Sequence, residues 1–133
     1  MENRIIREEY AEMARKIIDE EPMLSDIANS QATIVYLGSD YAKTSKGKVV
    51  CGECEKVADK NKWAIPCDFT ITVFEPNCAG FTEEQMRILL FHEFLHVGIE
   101  FLDDGSEKYS IKPHDYEDFK IIIDRYGTEW SKV

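Results

Sequence analysis

One stretch of sequence decides the fold of this chain: Thr82-Glu83-Glu84-Gln85-Met86-Arg87-Ile88-Leu89-Leu90-Phe91-His92-Glu93-Phe94-Leu95-His96. Thr82 and Gln85 have the spacing of a capping box, in which each side chain bonds to the backbone of the other residue. The residues that follow are apolar almost all round the helix, so the helix is predicted to be central and buried.

Two histidines lie four residues apart near the end of this helix. Because a helix has 3.6 residues per turn, the imidazoles of His92 and His96 project one above the other and can bind one ion. Zinc accepts neutral imidazole nitrogen at about 2.0 to 2.1 Å. Glu93 lies one step around the helix, where its carboxylate can take a proton from water at the metal. The pattern predicts one Zn²⁺ per chain. The alternative is a pair of core histidines with buried hydrogen-bond partners.

The third metal ligand must come from another part of the chain. His114 is the predicted ligand, because the 17 residues between it and His96 allow the chain to fold back. Three carboxylates are the alternatives: Glu117, Glu107 and Glu100. The last of these lies about 12 Å of helix rise beyond His92, so it could bind only if the helix unwound.

Hydrophobic periodicity predicts the other elements. A helix at 3–20, strands at 32–37, 48–57 and 68–74, and a helix beginning near His114 give the order α-β-β-β-α-α. We therefore expect one α+β domain over residues 1–133, with an N-terminal helix, a three-stranded sheet, the histidine-bearing helix and a C-terminal helix. The strand at 68–74 alternates polar and apolar residues, which is typical of a half-buried strand.

Composition excludes some classes of function. The formal net charge of −10 argues against nucleic-acid binding, which depends on Lys and Arg. Lys43, Lys46 and Lys48 form the densest basic cluster, and three lysines in a turn are typical of a solvated loop. No segment has the length and apolarity of a signal peptide or a membrane span. We therefore expect a cytoplasmic protein without membrane contact.

The four cysteines are Cys51, Cys54, Cys67 and Cys78. In the cytoplasm they are expected to be thiols or metal ligands and not disulfides. A zinc site built from all four is disfavoured, because Cys67 and Cys78 bracket the strand at 68–74. Their sulfurs would be separated by roughly 30 Å if that segment is extended.

The sequence resembles a known family. His92-Glu93-x-x-His96, the gap of 17 residues and His114-Asp115-Tyr116-Glu117-Asp118-Phe119 are similar to the SprT-like zinc metallopeptidases, and more closely to the small phage metallopeptidases. The phage group also matches the closing Tyr126-Gly127-x-x-Trp130. In the SprT-like pattern the third histidine is followed by Gly-x-x-Phe, whereas Asp115 occupies the glycine position here. The similarity covers roughly residues 48 to 130.

The resemblance implies a zincin-like peptidase. His92, His96 and His114 would hold zinc, and Glu93 would be the general base toward a metal-activated water. The substrate would be a peptide or protein, paired with the strand at 68–74 as the edge strand beside the cleft. A tyrosine could assist the developing oxyanion, and the candidates are Tyr109, Tyr116 and Tyr126.

The sequence also allows two other functions. The first is a non-catalytic, zinc-stabilised module that binds a protein partner through its acidic surface. The second is a deformylase-like metal hydrolase, because peptide deformylases add an upstream cysteine to two such histidines. Cys54 lies 38 residues before His92, although the other motifs of that family are absent.

Overall fold

The computed structural model describes residues 2–114, 119–127 and 130–131 and has a small α+β fold. Its strands are β1 (Arg4–Ile6), β2 (Ile34–Ser39), β3 (Thr44–Ser45), β4 (Lys48–Val49), β5 (Gly52–Lys56), β6 (Phe69–Phe74), β7 (Val97–Phe101) and β8 (Glu107–Ile111). Its α-helices are α1 (Glu8–Glu20), α2 (Ser25–Asn29), α3 (Glu83–Phe94) and α4 (Lys120–Tyr126). Short 3₁₀ turns occupy Pro22–Leu24, Asp59–Asn61 and Glu75–Cys78.

The main sheet has four strands in the order β1-β2-β6-β5, whereas three were predicted. β2 and β6 are parallel, and the two outer pairs are antiparallel. The additional strand is β1, which had been assigned to the N-terminal helix. Backbone pairing with β2 overrides the helical pattern there, and the Arg7 amide extends the pairing by donating to the Tyr36 carbonyl at 2.9 Å.

The prediction that residues 68–74 form the edge strand is wrong, because β6 lies between β2 and β5. Its alternating threonines suggested a solvent-exposed face. Thr72 is instead fully buried, and its hydroxyl accepts a hydrogen bond of 3.1 Å from the Arg4 guanidinium. A buried hydroxyl is tolerated when it is hydrogen-bonded in this way. The edge strand on this side of the sheet is therefore β5.

Helix α3 packs into the core as predicted. Its capping box is present, with the Gln85 amide donating to Thr82 Oγ1 at 3.2 Å and the Thr82 amide donating to Gln85 Oε1 at 2.8 Å. Leu90 and Phe94 are almost fully buried. Each such side chain contributes about 1.5 to 3 kcal/mol through burial, so the core holds this helix firmly.

A β-hairpin follows α3, where the sequence had indicated more helix. The helix ends at Phe94, and β7 pairs antiparallel with β8 from Val97 opposite Ile111 to Phe101 opposite Glu107. Gly105 adopts φ +88° in the connecting turn, a conformation that favours glycine. The chain therefore leaves the histidine-bearing helix through a hairpin.

The C-terminal helix begins later than predicted. Its described part is α4, and His114 lies outside regular structure before it. The predicted first turn, residues 115–118, lies outside the described residues. No helix in the described part of the chain has the length and apolarity needed to cross a membrane.

Candidate metal centre

The three histidines of the chain come together at the end of α3. One ring nitrogen from each of His92, His96 and His114 lies within 4.8 Å of the other two, and His92 Nε2 and His114 Nε2 are 2.9 Å apart. The three nitrogens are close enough together for the group to hold a metal ion. No other group of three or more His, Cys, Asp or Glu side chains within the described ranges is arranged in this way.

The orientation of the His96 ring is set by the backbone. His96 Nδ1 lies 2.6 Å from the carbonyl oxygen of Lys112. Because a carbonyl can only accept, Nδ1 carries the proton and donates it. The neutral ring then presents the lone pair of Nε2 toward the other two imidazoles. An outer hydrogen bond of this kind is what fixes the tautomer of metal-binding histidines.

The unpredicted hairpin brings the third histidine to the site. Its strands leave α3 directly after His96 and return the chain to Lys112, two residues before His114. The Lys112 amide also donates to the His96 carbonyl at 2.7 Å. His96 and Lys112 are thus joined by two hydrogen bonds. The 17-residue segment between His96 and His114 therefore forms a hairpin whose two ends lie side by side.

One aromatic ring packs against all three imidazoles. The centroid of Phe119 lies 5.5 Å from that of His92, 4.8 Å from that of His96 and 5.1 Å from that of His114. Phe119 is 6% exposed. It therefore supports the geometry of the cluster from the side of the core, a role that the sequence had not indicated.

Glu93 is buried beside the cluster. It is 3% exposed, and its Oε2 lies 4.0 Å from His92 Nε2. A β-carbon placed on Gly52 would lie 3.3 Å from the same carboxylate oxygen. Gly52, the first residue of the edge strand β5, therefore faces the carboxylate. Because glycine has no side chain, the carboxylate of Glu93 has room at this position.

The cluster opens into a cleft of about 620 Å³. His92, Glu93 and His114 line it together with the start of β5 and the β3–β4 hairpin. Trp130 also lines the cleft, with its ring centroid 6.4 Å from that of His92. Its carbonyl accepts a hydrogen bond of 3.1 Å from the Gln85 side chain, which ties the end of the chain to α3. The volume is in the range of small-molecule and peptide subsites.

Two of the alternative carboxylate ligands lie elsewhere. Glu107 accepts hydrogen bonds from the Gln31 amide at 3.1 Å and from the Tyr109 hydroxyl at 2.6 Å. Glu100 is exposed on β7, opposite Lys108. The remaining alternative, Glu117, lies outside the described residues.

Two of the tyrosines considered for the oxyanion, Tyr109 and Tyr126, do not line the cleft. Tyr109 donates to Glu107 and packs against Phe69, with ring centroids 5.6 Å apart. Tyr126 is half-buried on α4 and packs against the core. Tyr116 lies outside the described residues.

The cysteines form no four-thiolate site. Cys51 lines the cleft, and its hydrogen bond with Cys78 lowers the pKa of Cys51 and raises that of Cys78. Burial raises the pKa of the Cys54 thiol, and the carboxylate of Glu93 raises it further. Cys54 is thus close to Glu93 but is not among the clustered metal-ligand atoms. Cys67 is buried at the other end of β6.

Comparison with protein families agrees with this geometry. The family model described as "Putative phage metallopeptidase" matches residues 3–133. The chain belongs to this family. No curated protein and no solved structure matches it. For a phage metallopeptidase, a metal-dependent activity on peptides or proteins follows from membership, and the three clustered histidines are able to hold the metal.

Proposed function

We propose that this phage metallopeptidase is a zinc enzyme that hydrolyses peptide bonds, with His92, His96 and His114 as metal ligands and Glu93 as general base. One observation carries the proposal: three imidazoles cluster beside a buried carboxylate, and His92, His114 and Glu93 line a single cleft. The same elements were predicted from the sequence, and family membership supplies the reaction class.

The donor set suits zinc. Three neutral nitrogens with a remaining open position are typical of catalytic zinc, whereas oxygen-rich sites favour magnesium or calcium. When bound, zinc would supply a Lewis acid that lowers the pKa of a coordinated water toward about 7. The bond from His96 to the Lys112 carbonyl would keep that imidazole in the ligating tautomer.

Glu93 is proposed to move the proton. Burying an ionised carboxylate is costly unless charge compensates it, and a divalent cation at the histidines would provide that compensation. From its position 4.0 Å from His92 Nε2, the carboxylate would accept a proton from the attacking water and deliver it to the departing amide nitrogen.

The substrate is proposed to bind along β5. The Phe74 amide donates to the Cys51 carbonyl, and the Val57 amide donates to the Asp68 carbonyl. The backbone amides and carbonyls of the odd-numbered residues of β5 therefore face β6. Backbone groups alternate along an antiparallel strand, so those of Gly52 and Cys54 point away from the sheet. An extended peptide could pair with them and pass Glu93.

The binding-module alternative has less support. A purely structural zinc site is normally closed by four protein ligands, and only three ligand atoms converge in the part of the chain that the structure describes. A deformylase-like site would need Cys54 in the cluster, and its thiol is not part of it.

Metal content and hydrolysis test the proposal together. We expect purified protein to bind about one zinc per chain, to lose hydrolysis of an unfolded protein substrate after chelation, and to regain it with zinc. His92→Ala and His96→Ala should lose both metal and activity. Wild-type protein that takes up no zinc, or histidine variants that keep it, would contradict the metal assignment.

A further inference from the structure

The β3–β4 hairpin forms one wall of the candidate cleft. Ser45, Lys46 and Lys48 line the cleft with His92 and Glu93. From sequence these lysines were expected in a solvated loop. They are indeed exposed, but the loop borders the site.

The hairpin is held in a defined position. Lys46 has φ +53° and Gly47 has φ +79°, which is the conformation of a two-residue turn between paired strands. At the base of the hairpin the side-chain amide of Asn77 donates to the carbonyls of Lys43 and Val50, at 2.9 and 2.8 Å. Because both stems are tied to the turn after β6, the lysine at the tip is presented to the cleft by a fixed support.

The charge of this wall is opposite to that of the whole chain. The net charge is −10, yet the charged side chains that line the cleft, among the described residues, are Lys46, Lys48 and Glu93. The ammonium of Lys43, at the base of the hairpin, lies 2.5 Å from the carboxylate of Glu53 and is neutralised by it. If Glu93 faces a bound cation, the positive charge of Lys46 is left to meet the substrate.

We propose that Lys46 selects substrates with an acidic side chain on the side of the scissile bond nearest the β3–β4 hairpin. This specificity rests on the proposed peptidase function and adds the substrate class: extended, acidic peptides. The hairpin precedes β5 directly in the chain, so a peptide paired with β5 would place residues a few positions from the scissile bond near Lys46.

The test uses three fluorescent peptides that share one apolar core and carry two Glu, two Gln or two Lys on one flank. An exposed charge pair is worth up to about 1 kcal/mol, which corresponds to about fivefold, so we expect the zinc-loaded wild type to prefer the Glu peptide over the Lys peptide by about fivefold in kcat/KM. The preference should lie mainly in KM and should weaken as salt is raised.

Lys46→Glu should abolish or reverse this preference. Lys60→Glu is the matched control, since Lys60 is exposed, lies outside the cleft lining and changes the net charge equally. Its selectivity should equal that of wild type. An equal loss of selectivity in both variants, or no preference in wild type, would overturn the inference while leaving the peptidase function intact.

A binding measurement separates the two claims. Fluorescence anisotropy with zinc-loaded Glu93→Gln reports affinity for the same peptides without turnover. Tighter binding of the Glu peptide, lost in Glu93→Gln/Lys46→Glu, would support the inference even if hydrolysis were never observed. Equal binding of all three peptides would refute it.

Discussion

Removal of the Phe119 ring should weaken the fold and the metal site together. The ring is 6% exposed and its centroid lies 4.8 to 5.5 Å from those of all three histidines. Truncation of a buried phenylalanine to alanine costs about 3 to 5 kcal/mol. Phe119 stands at the start of a short helix, where neighbours can relax, so we expect the lower end. That is a large part of the about 5 to 15 kcal/mol that stabilises a domain.

The expected changes can be measured separately. For a chain of this size, a loss of about 3 kcal/mol lowers the midpoint of thermal unfolding by roughly 10 °C. The imidazoles would also lose their common support, and loss of such support lowers metal affinity by about 10- to 100-fold. Thermal unfolding of metal-free Phe119→Ala gives the first quantity. Titration of zinc against a chelating dye gives the second.

Phe101→Ala is the control, because Phe101 is 47% exposed at the end of β7. It should retain wild-type zinc affinity and lose little stability. If Phe119→Ala binds zinc as tightly as wild type and unfolds at the same temperature, the ring does not support the histidine cluster.

Three further predictions concern other contacts. Gly52→Ala should lower turnover while zinc is retained, because the new β-carbon would lie 3.3 Å from the buried carboxylate of α3 and 3.1 Å from a β6 carbonyl. Glu75→Gln should cost about 1 kcal/mol at pH 7, since the Arg7 guanidinium lowers the pKa of Glu75 and the pair is partly exposed. The folded pKa is below the unfolded one, so this stabilisation is present above the unfolded pKa and is lost as pH falls through the folded pKa. His114→Ala should weaken zinc binding strongly, whereas Glu107→Gln should not.

Each of these has a measurement that can contradict it. For Gly52→Ala, wild-type kcat in a zinc-loaded sample would show that the carboxylate is not crowded. Urea unfolding at several pH values tests Glu75→Gln, and a stability difference that grows toward low pH would have the wrong sign. Zinc retained in His114→Ala would move the third ligand to another residue.

The sequence was sufficient to predict the central helix and the placement of its two histidines on one face. The capping box, the apolar helix and the positions of His92 and His96 follow from local rules that the surrounding fold does not disturb. His114 was also predicted, because a loop of sufficient length can close on the site. The β7–β8 hairpin that brings His114 to the site was not predicted.

The hairpin was missed because its first strand is largely apolar and directly follows an apolar helix. Val97, Ile99 and Phe101 alternate with other residues, and Asp104-Gly105 is a common turn dipeptide. These signals could have identified the hairpin, but hydrophobicity alone does not separate a short strand from a buried helix.

Strand order could not be predicted from local pattern. β6 was expected at the edge, but it pairs with β2 and β5 on its two sides, and Arg4, 68 residues away in sequence, donates to the buried hydroxyl of Thr72. The position of the lysine hairpin beside the cleft depends on Asn77 in the same way. Long-range contacts of this kind decide which surface becomes the site.

The most direct test of the account is the turnover of zinc-loaded Glu93→Gln beside wild type on an unfolded protein substrate, with metal content measured in the same samples. Glutamine preserves the size of the side chain but cannot accept the proton of water at neutral pH. We expect equal zinc content and a loss of turnover of at least about 100-fold. Equal turnover in the two proteins at equal zinc content would contradict the assignment of Glu93 as general base.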